Sequence, residues 1–148
     1  MTTITPKQVT AAKAFVRALD TGRFCFERRP SKPNKLYAGM LALLGGKSEQ
    51  GETPEQTVRR EVLEESKLSI DKFVFLENVA STVNYSDERG TKQVLTAIFF
   101  CSVPREAEAE VSDESEALEW LTLGQVAAHN PAPGLLDLIA THKTTLEK

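Results

Sequence analysis

The sequence has few of the residues that cross-link a small fold or hold zinc. Its 148 residues include only two cysteines, two histidines and one tryptophan. Two thiols can form neither a disulfide framework nor a four-cysteine zinc site. Cys25 and Cys101 each lie in an apolar, strand-like run, which favours free, buried thiols. His129 and His142 lie in polar C-terminal segments and indicate no catalytic triad.

A long hydrophobic run and an excess of positive charge are also lacking. No uncharged apolar stretch reaches the roughly 18 residues that a membrane-spanning helix needs. The first residues, MTTITPKQVT, do not have the apolar core of a signal peptide. We therefore expect a cytoplasmic protein without a membrane partner. The formal net charge of −3 gives no general attraction to a nucleic acid polymer, so we expect no such partner either.

What is present is the length and composition of one ordinary domain. The chain is 41% hydrophobic and 26% charged, and we expect residues 1–148 to form a single domain. Strand-like and helix-like segments are mixed with hairpins, which predicts an α/β (α+β) fold and excludes an all-parallel sheet and a helical bundle. The predicted strands are 9–19, 23–28, 72–83, 92–103 and 117–121, the predicted helices are 54–67 and 135–145, and an apolar segment spans 37–44.

The segment 45–69, GGKSEQGETPEQTVRREVLEESKLS, contains the best-marked helix. Thr53 can cap it, Pro54 suits the first helical position, and Gln56 completes a capping box. At about 100° per residue, three carboxylates then fall within roughly 100° of one another on one helix face. These three residues are Glu61, Glu64 and Glu65.

Local stability does not explain this acidic face. Like charges four residues apart destabilise a helix by a few tenths of a kcal/mol, and the helix dipole disfavours negative charge towards the C-terminus. A divalent cation would explain it, and an all-oxygen ligand set favours Mg²⁺ or Mn²⁺ over zinc. Gly45 and Gly46 would let a backbone carbonyl approach the metal, and Arg60 is placed to pair with Glu52 or Glu61. These residues alone also allow a merely solvated acidic helix.

The segment resembles the signature of the Nudix (MutT-like) hydrolases: G, five residues, E, seven residues, R-E-U-x-E-E-x-G-U, where U is aliphatic. Gly46, Glu52 and the run 60–68 (REVLEESKL) match this spacing. The stretches YAGMLALLGG and ALEWL resemble the family more loosely. Two positions depart from the pattern. Lys67 replaces the glycine that ends the helix, where a left-handed backbone would cost lysine about 1 kcal/mol, and Leu44 replaces a frequent proline.

The resemblance implies a Nudix-type mixed β-sheet sandwiched between helices, and a hydrolase that cleaves a nucleoside diphosphate-linked compound with Mg²⁺ or, as a substitute, Mn²⁺. The implied metal ligands are Glu61, Glu64, Glu65 and the carbonyl of Gly45. The implied catalytic residues are Arg60, Glu61, Glu64 and, as a base from a later loop, Glu114, with Glu116 as an alternative. Glu61 is either a ligand or the group that positions or deprotonates the attacking water.

The substrate is less well defined by the sequence. The residues expected to bind it are Arg28, Arg29, Lys35 and Tyr85, although a solvated basic loop explains the first three nearly as well. We expect a small nucleotide, with a nucleoside triphosphate, oxidised or not, as the leading substrate. A dinucleoside polyphosphate, a nucleotide sugar and a non-catalytic nucleotide-binding module are the alternatives. The absence of proline from residues 69–103 argues weakly against ADP-ribose. A homodimer is left open.

Overall fold

The structure is a computed structural model that describes residues 7–33, 35–85, 88–113 and 115–148. Its strands are β1 (Lys7–Ala18), β2 (Phe24–Arg28), β3 (Leu41–Lys47), β4 (Val74–Asn84), β5 (Thr91–Val103) and β6 (Ala117–Leu121). Its α-helices are α1 (Pro54–Ser66) and α2 (Leu135–Leu146), with 3₁₀ turns at Glu106–Glu108 and Leu123–His129. No helix in these described ranges is long and apolar enough to cross a membrane.

The strands form one mixed sheet in the order β4-β5-β1-β3-β2-β6. Strands β1 and β5 run parallel from Lys7↔Lys92 to Ala18↔Val103, and the other pairs are antiparallel. Because a parallel pair cannot be joined by a tight turn, the β1–β5 pairing needs the long intervening chain that carries α1. The predicted α+β class and mixed sheet are confirmed.

Strand β3 enters the sheet where β1 and β2 separate. At one end β1 pairs with β2 through Val16↔Cys25, and nearer its N-terminus it pairs with β3 through Lys13↔Gly45. On its other side β3 pairs with β2, for example through Phe26↔Leu43. The two glycines at the end of β3 therefore lie at the centre of the sheet, directly before the chain leaves for α1.

The two faces of the sheet are covered by different helices. Alternate residues of β1 point to opposite faces, so Val16 packs in a cluster with Val58 and Val62 of α1, while Phe15 packs in a second cluster with Ile139 of α2. Val58 and Val62 are fully buried, and such burial contributes roughly 1.5–3 kcal/mol for each side chain. The predicted sandwich of helices about the sheet is confirmed, and α1 is fixed on one face.

Helix α1 begins as the sequence predicts. The Gln56 N–H donates to Thr53 Oγ1 at 3.2 Å, and the Thr53 N–H donates to Gln56 Oε1 at 2.9 Å. The helix ends at Ser66, and Lys67 follows in the left-handed conformation (φ 64°), with its N–H donating to the Leu63 carbonyl at 2.9 Å. The conformation that favours glycine is therefore retained, although the residue is lysine.

Candidate active site

Arg60 holds the outer carboxylates of the site together. Its Nε and Nη2 donate to the two oxygens of Glu52 at 2.7 and 3.0 Å, and its Nη1 donates to Glu61 at 2.9 Å and to Glu64 at 3.3 Å. A further bond from Nη2 to the Lys47 carbonyl, 3.1 Å long, ties the group to β3. The Arg60 guanidinium lowers the pKa of Glu52 to about 2. The sequence offered Glu52 or Glu61 as a partner, and Arg60 contacts both.

Gly46 leaves the space that the Glu61 carboxylate occupies. A Cβ added at Gly46 would lie 2.6 Å from the carboxyl carbon of Glu61 and 2.8 and 2.9 Å from its oxygens. The Glu61 side chain is 15% exposed and that of Glu64 is 45% exposed. Both carboxylates therefore remain within reach of a ligand that approaches from solvent.

Glu65 is held on the inner side of α1. It is 5% exposed, and its Oε1 accepts a hydrogen bond of 2.7 Å from the backbone N–H of Gly45. Gly45 has φ 142°, and a Cβ there would overlap the carbonyl oxygen of Ala12, so only glycine fits. Burial, followed by the neighbouring carboxyl group of Glu27, raises the pKa of Glu65 well above its ordinary value.

Glu27 is a buried carboxylate that the sequence predictions missed. It lies in β2, is 3% exposed, and accepts hydrogen bonds from Ser115 Oγ at 2.7 Å and from Arg29 Nη1 at 3.3 Å. Two residues away along the alternating run RFCFER, Cys25 points to the same face and is fully buried. That alternation is the signal that could have identified Glu27 as a buried acid.

The loop after β5 lies against the end of α1. The Glu110 N–H donates to the Ser66 carbonyl at 2.8 Å, and the Ser112 N–H donates to the Glu65 carbonyl at 3.2 Å. Glu114, the expected base, lies outside the described residues, so its role stays a prediction. Glu116, the alternative, is exposed.

The two arginines expected to bind substrate are engaged within the protein. Arg28 forms a bidentate pair with Glu119, with bonds of 2.6 and 2.8 Å, and donates to the His129 carbonyl at 2.7 Å. Arg29 donates from Nε to the Leu36 carbonyl at 2.8 Å. These contacts anchor β2 to β6 and to the following loop. A role in substrate binding stays a prediction for both arginines.

The other two expected substrate residues differ in their surroundings. Lys35 is exposed in the loop between β2 and β3. Tyr85 follows β4, and the Arg89 guanidinium lies 4.1 Å from the centre of its ring, with the Lys92 ammonium at 5.4 Å. A nucleotide base that stacks on this face of Tyr85 would therefore have to displace Arg89.

The oxygen donors fit a hard divalent cation in their chemistry. Glu61 and Glu64 contribute carboxylates at an accessible position, Glu65 lies behind them, and the glycines leave room for a close approach. Within the described part of the chain, no group of three or more His, Cys, Asp or Glu side chains is arranged to hold a metal ion. Arg60 donates to the Glu61 and Glu64 carboxylates, and the Gly45 N–H donates to Glu65.

A cavity of about 780 Å³ lies away from these carboxylates. It is found beyond the C-terminal end of α1, and its lining includes Lys67, Ile70, Val74 and Pro104. Its size alone does not make it the active site, because the charged groups suited to phosphate chemistry are gathered around Arg60.

Comparisons with known proteins agree with the fold and with the signature. The NUDIX domain model matches residues 7–141. A MutT protein from Methanosarcina mazei Go1 superposes with a TM-score of 0.76 at 20% identity, covering 99% of this chain and 100% of that chain. The E. coli dihydroneopterin triphosphate pyrophosphohydrolase gives 0.72 at 20% identity, with 92% and 95% covered. The NUDIX domain of Shewanella oneidensis NrtR, complexed with ADP ribose, gives 0.72 at 21% identity, with 97% and 90% covered. At these identities, the structural likeness shows a common fold.

Proposed function

The chain belongs to the NUDIX domain family of pyrophosphohydrolases, which act on phosphoanhydride bonds of nucleoside diphosphate-linked compounds, and we propose that its own substrate is a nucleoside triphosphate, oxidised or not. The family generally uses divalent metal ions and binds small nucleotide-like substrates. We propose Mg²⁺ as the ion, with Mn²⁺ as a substitute. We also propose that residues 1–148 form one domain. The cytoplasmic location stays a prediction from the sequence.

One observation carries the proposal: an arginine-bound cluster of carboxylates lies beside two glycines at the centre of the sheet. Arg60 contacts Glu52, Glu61 and Glu64, and Gly46 lies against the Glu61 carboxylate. Stability alone does not explain why three acidic residues share one face of α1, because like charges repel. The cluster has clear value for binding a divalent ion, and Mg²⁺ keeps open positions for substrate phosphates.

Each residue of the proposed site has its own role. Glu61, Glu64 and Glu65 would hold the metal ion, together with the Gly45 carbonyl. A bound divalent ion screens phosphate charge and makes phosphorus more electrophilic. Arg60 orients the Glu52 and Glu61 carboxylates through its fixed fork of N–H donors. The proton of the attacking water passes to Glu61 or to a carboxylate of the loop after β5, with Glu114 as the leading base of that loop.

Two structural neighbours support a substrate with a phosphate chain. The E. coli neighbour is named for a triphosphate substrate, and the NrtR domain is complexed with a nucleoside diphosphate sugar. Both compounds present a phosphate chain to a similar fold. The alternatives are a dinucleoside polyphosphate and a nucleotide sugar, which differ from a triphosphate in the group that leaves with the second phosphate.

A substrate panel tests the proposal. Nucleoside triphosphates (including oxidised ones), dinucleoside polyphosphates, ADP-ribose and nucleotide sugars are each incubated with Mg²⁺ or Mn²⁺, and the products are identified. We expect a triphosphate to be cleaved most efficiently, to the monophosphate and pyrophosphate. Preferred cleavage of another class would replace the proposed substrate. An absence of metal-dependent hydrolysis across the whole panel would contradict the enzymatic assignment itself.

A matched pair of variants tests the role of the acidic face. Glu64→Gln should lower kcat by about 100-fold or more while the folded structure is retained, because it removes a proposed ligand charge. Glu55→Gln is the control, since Glu55 lies on the same helix and pairs with Arg59 instead, at 3.3 Å. Equal activity of the two variants would overturn the metal assignment.

A further inference from the structure

A lysine inside the sheet lies next to the proposed metal site and has no role in the function described above. Lys13 is in the middle of β1, where Gly45 of β3 and Ile98 of β5 are its partners in register. Its neighbours Ala12 and Ala14 are fully buried, and Lys13 itself is partly buried. Lysine is rarely enclosed in this way without a partner.

Gly45 brings the Lys13 side chain to the site. A Cβ at Gly45 would lie 2.6 Å from the Cα of Lys13 and 2.8 Å from its Cγ, so the lysine stem lies across the glycine. The N–H of the same glycine donates to Glu65 Oε1 at 2.7 Å. Lys13 therefore contacts the backbone unit that anchors a proposed metal ligand.

The charges around Lys13 belong to the site. Burial has the largest effect and lowers the pKa of Lys13, whereas Glu27, Glu65 and Glu61 raise it and Arg29 lowers it further. No described residue accepts a hydrogen bond from its ammonium group. The ammonium group thus lies near several carboxylates but donates a hydrogen bond to none of them in the described part of the chain.

Two other cations near the carboxylates, Arg60 and Arg29, are already engaged. Arg60 donates to Glu52, Glu61 and the Lys47 carbonyl, and Arg29 donates to the Leu36 carbonyl. A lysine ammonium has three N–H donors and acts as a compact point charge. When a phosphate chain enters the site, Lys13 can bind it without giving up a hydrogen bond to a described residue.

We propose that the ammonium group of Lys13 binds a non-bridging phosphate oxygen of the nucleotide, which makes Lys13 a further substrate-binding residue. The inference rests on the proposed function, because it needs a phosphate chain beside Glu61 and Glu65. Lys13 is a cation and does not bind the metal ion itself. Its removal should therefore weaken nucleotide binding and leave binding of the metal alone unchanged.

Three variants test the inference. Lys13→Met keeps the length of the stem and removes the charge, Lys13→Arg keeps the charge, and Lys143→Met is a matched control on the exposed side of α2. Calorimetry gives the affinity for a non-hydrolysable nucleoside triphosphate analogue with Mg²⁺, electron paramagnetic resonance gives the affinity for Mn²⁺ alone, and thermal unfolding gives Tm.

For Lys13→Met we expect nucleotide affinity to fall about 10-fold or more, Mn²⁺ affinity to stay within about twofold, and Tm to stay equal or rise, because a partly buried charge is removed. Lys13→Arg should keep part of the nucleotide affinity, and Lys143→Met should match the wild type. A purely structural lysine would not separate nucleotide binding from stability in this way.

Two results would overturn the inference. One is nucleotide affinity of Lys13→Met within twofold of wild type. The other is an equal loss of Mn²⁺ binding, which would show that Lys13 acts on the carboxylates instead of the phosphates. If Lys13→Met does not fold, Lys13→Arg decides: nucleotide affinity kept in part, with Mn²⁺ affinity within about twofold of wild type, supports the inference, and a total loss of nucleotide binding overturns it. If the wild type cleaves another compound of the panel, the proposed triphosphate substrate is wrong, and the same criteria apply with an analogue of that compound.

Discussion

Lys67 shows the difference between the identity of a residue and the backbone conformation it has to adopt. The signature has glycine at this position, and the lysine takes the same left-handed conformation, with φ 64°. Its side chain is exposed and lies one residue beyond the helix that carries the carboxylates. The departure therefore affects the stability of the helix end and leaves the proposed ligands unchanged.

We expect Lys67→Gly to stabilise the protein. A left-handed conformation costs a non-glycine residue about 1 kcal/mol, so the free energy of unfolding should rise by about that amount and Tm by about 2–4 °C. Thermal unfolding measures the change. The value of kcat should stay within about twofold, and a large loss of kcat would show instead that Lys67 contacts the substrate.

Gly46 and Gly124 form a matched pair of glycines. A methyl group at Gly46 would displace the Glu61 carboxylate, because the added Cβ would lie 2.6 Å from its carboxyl carbon. At Gly124 nothing lies within 4 Å of the added Cβ. We expect Gly46→Ala to lower kcat about 10-fold or more, since misplaced groups lose catalysis steeply, and Gly124→Ala to leave it unchanged. Full activity of a folded Gly46→Ala protein would show that catalysis does not depend on the position of the Glu61 carboxylate.

At the scale of whole elements, α1 was the most predictable part of the molecule. Its cap, its proline and its acidic face depend on residues close together in sequence, and the predicted start at Pro54 is confirmed. Strand β3 was less predictable, because glycine is disfavoured in strands and pairing with distant β1 holds Gly45 and Gly46 in one. The parallel pairing of β1 with β5 also joins segments that are far apart in the sequence, so local patterns could not predict it.

The salt bridge between Arg60 and Glu52 makes the free energy of unfolding depend on pH. The hydrogen bond from Arg60, followed by that from the Glu49 N–H, lowers the pKa of Glu52 from 4.5 to about 2. Because the folded pKa is the lower one, this stabilisation is present above about pH 4.5 and is lost as the pH falls from about 4.5 to about 2. We expect the free energy of unfolding to fall less steeply over that range in Glu52→Gln than in wild type. Parallel curves for the two proteins would contradict this contribution.

At the scale of the whole molecule, the two thiols probe the core between the sheet and α1. Cys25 and Cys101 are 0% and 3% exposed and belong to that core, as their apolar contexts predicted. Burial raises the pKa of both thiols, that of Cys101 to about 12. Both are free, and a buried thiol with a raised pKa is a poor nucleophile.

We expect both thiols to react with a disulfide reagent only when the protein opens globally. The rate of reaction in the native state should fall with every stabilising change, including Lys67→Gly, while the unfolded protein reacts fully. Exposed Cys variants at Ser102 and Ser69 provide controls for reagent access. Fast reaction of either native thiol, at the rate of the exposed controls, would contradict the described core.

The arrangement of the whole site could not be predicted from one sequence. The spacing in 60–68 placed three carboxylates and Arg60 on one helix, because helix geometry is local. Glu27 and Lys13 reach the same site from β2 and β1, and only the order of strands in the sheet brings them there. The ion pair of Arg28 was equally unpredictable, since its partner Glu119 lies 91 residues away in the sequence.

The most direct test of the central claim is a crystal structure with Mn²⁺ and a non-hydrolysable nucleoside triphosphate analogue, in which anomalous scattering locates the ion. We expect the anomalous peak at about 2.0–2.3 Å from carboxylate oxygens of Glu61, Glu64 or Glu65, with the phosphate chain bound to the same ion. A peak elsewhere on the molecule, with the phosphates far from α1, would contradict the claim that the acidic face exists to hold a divalent ion against a phosphate chain.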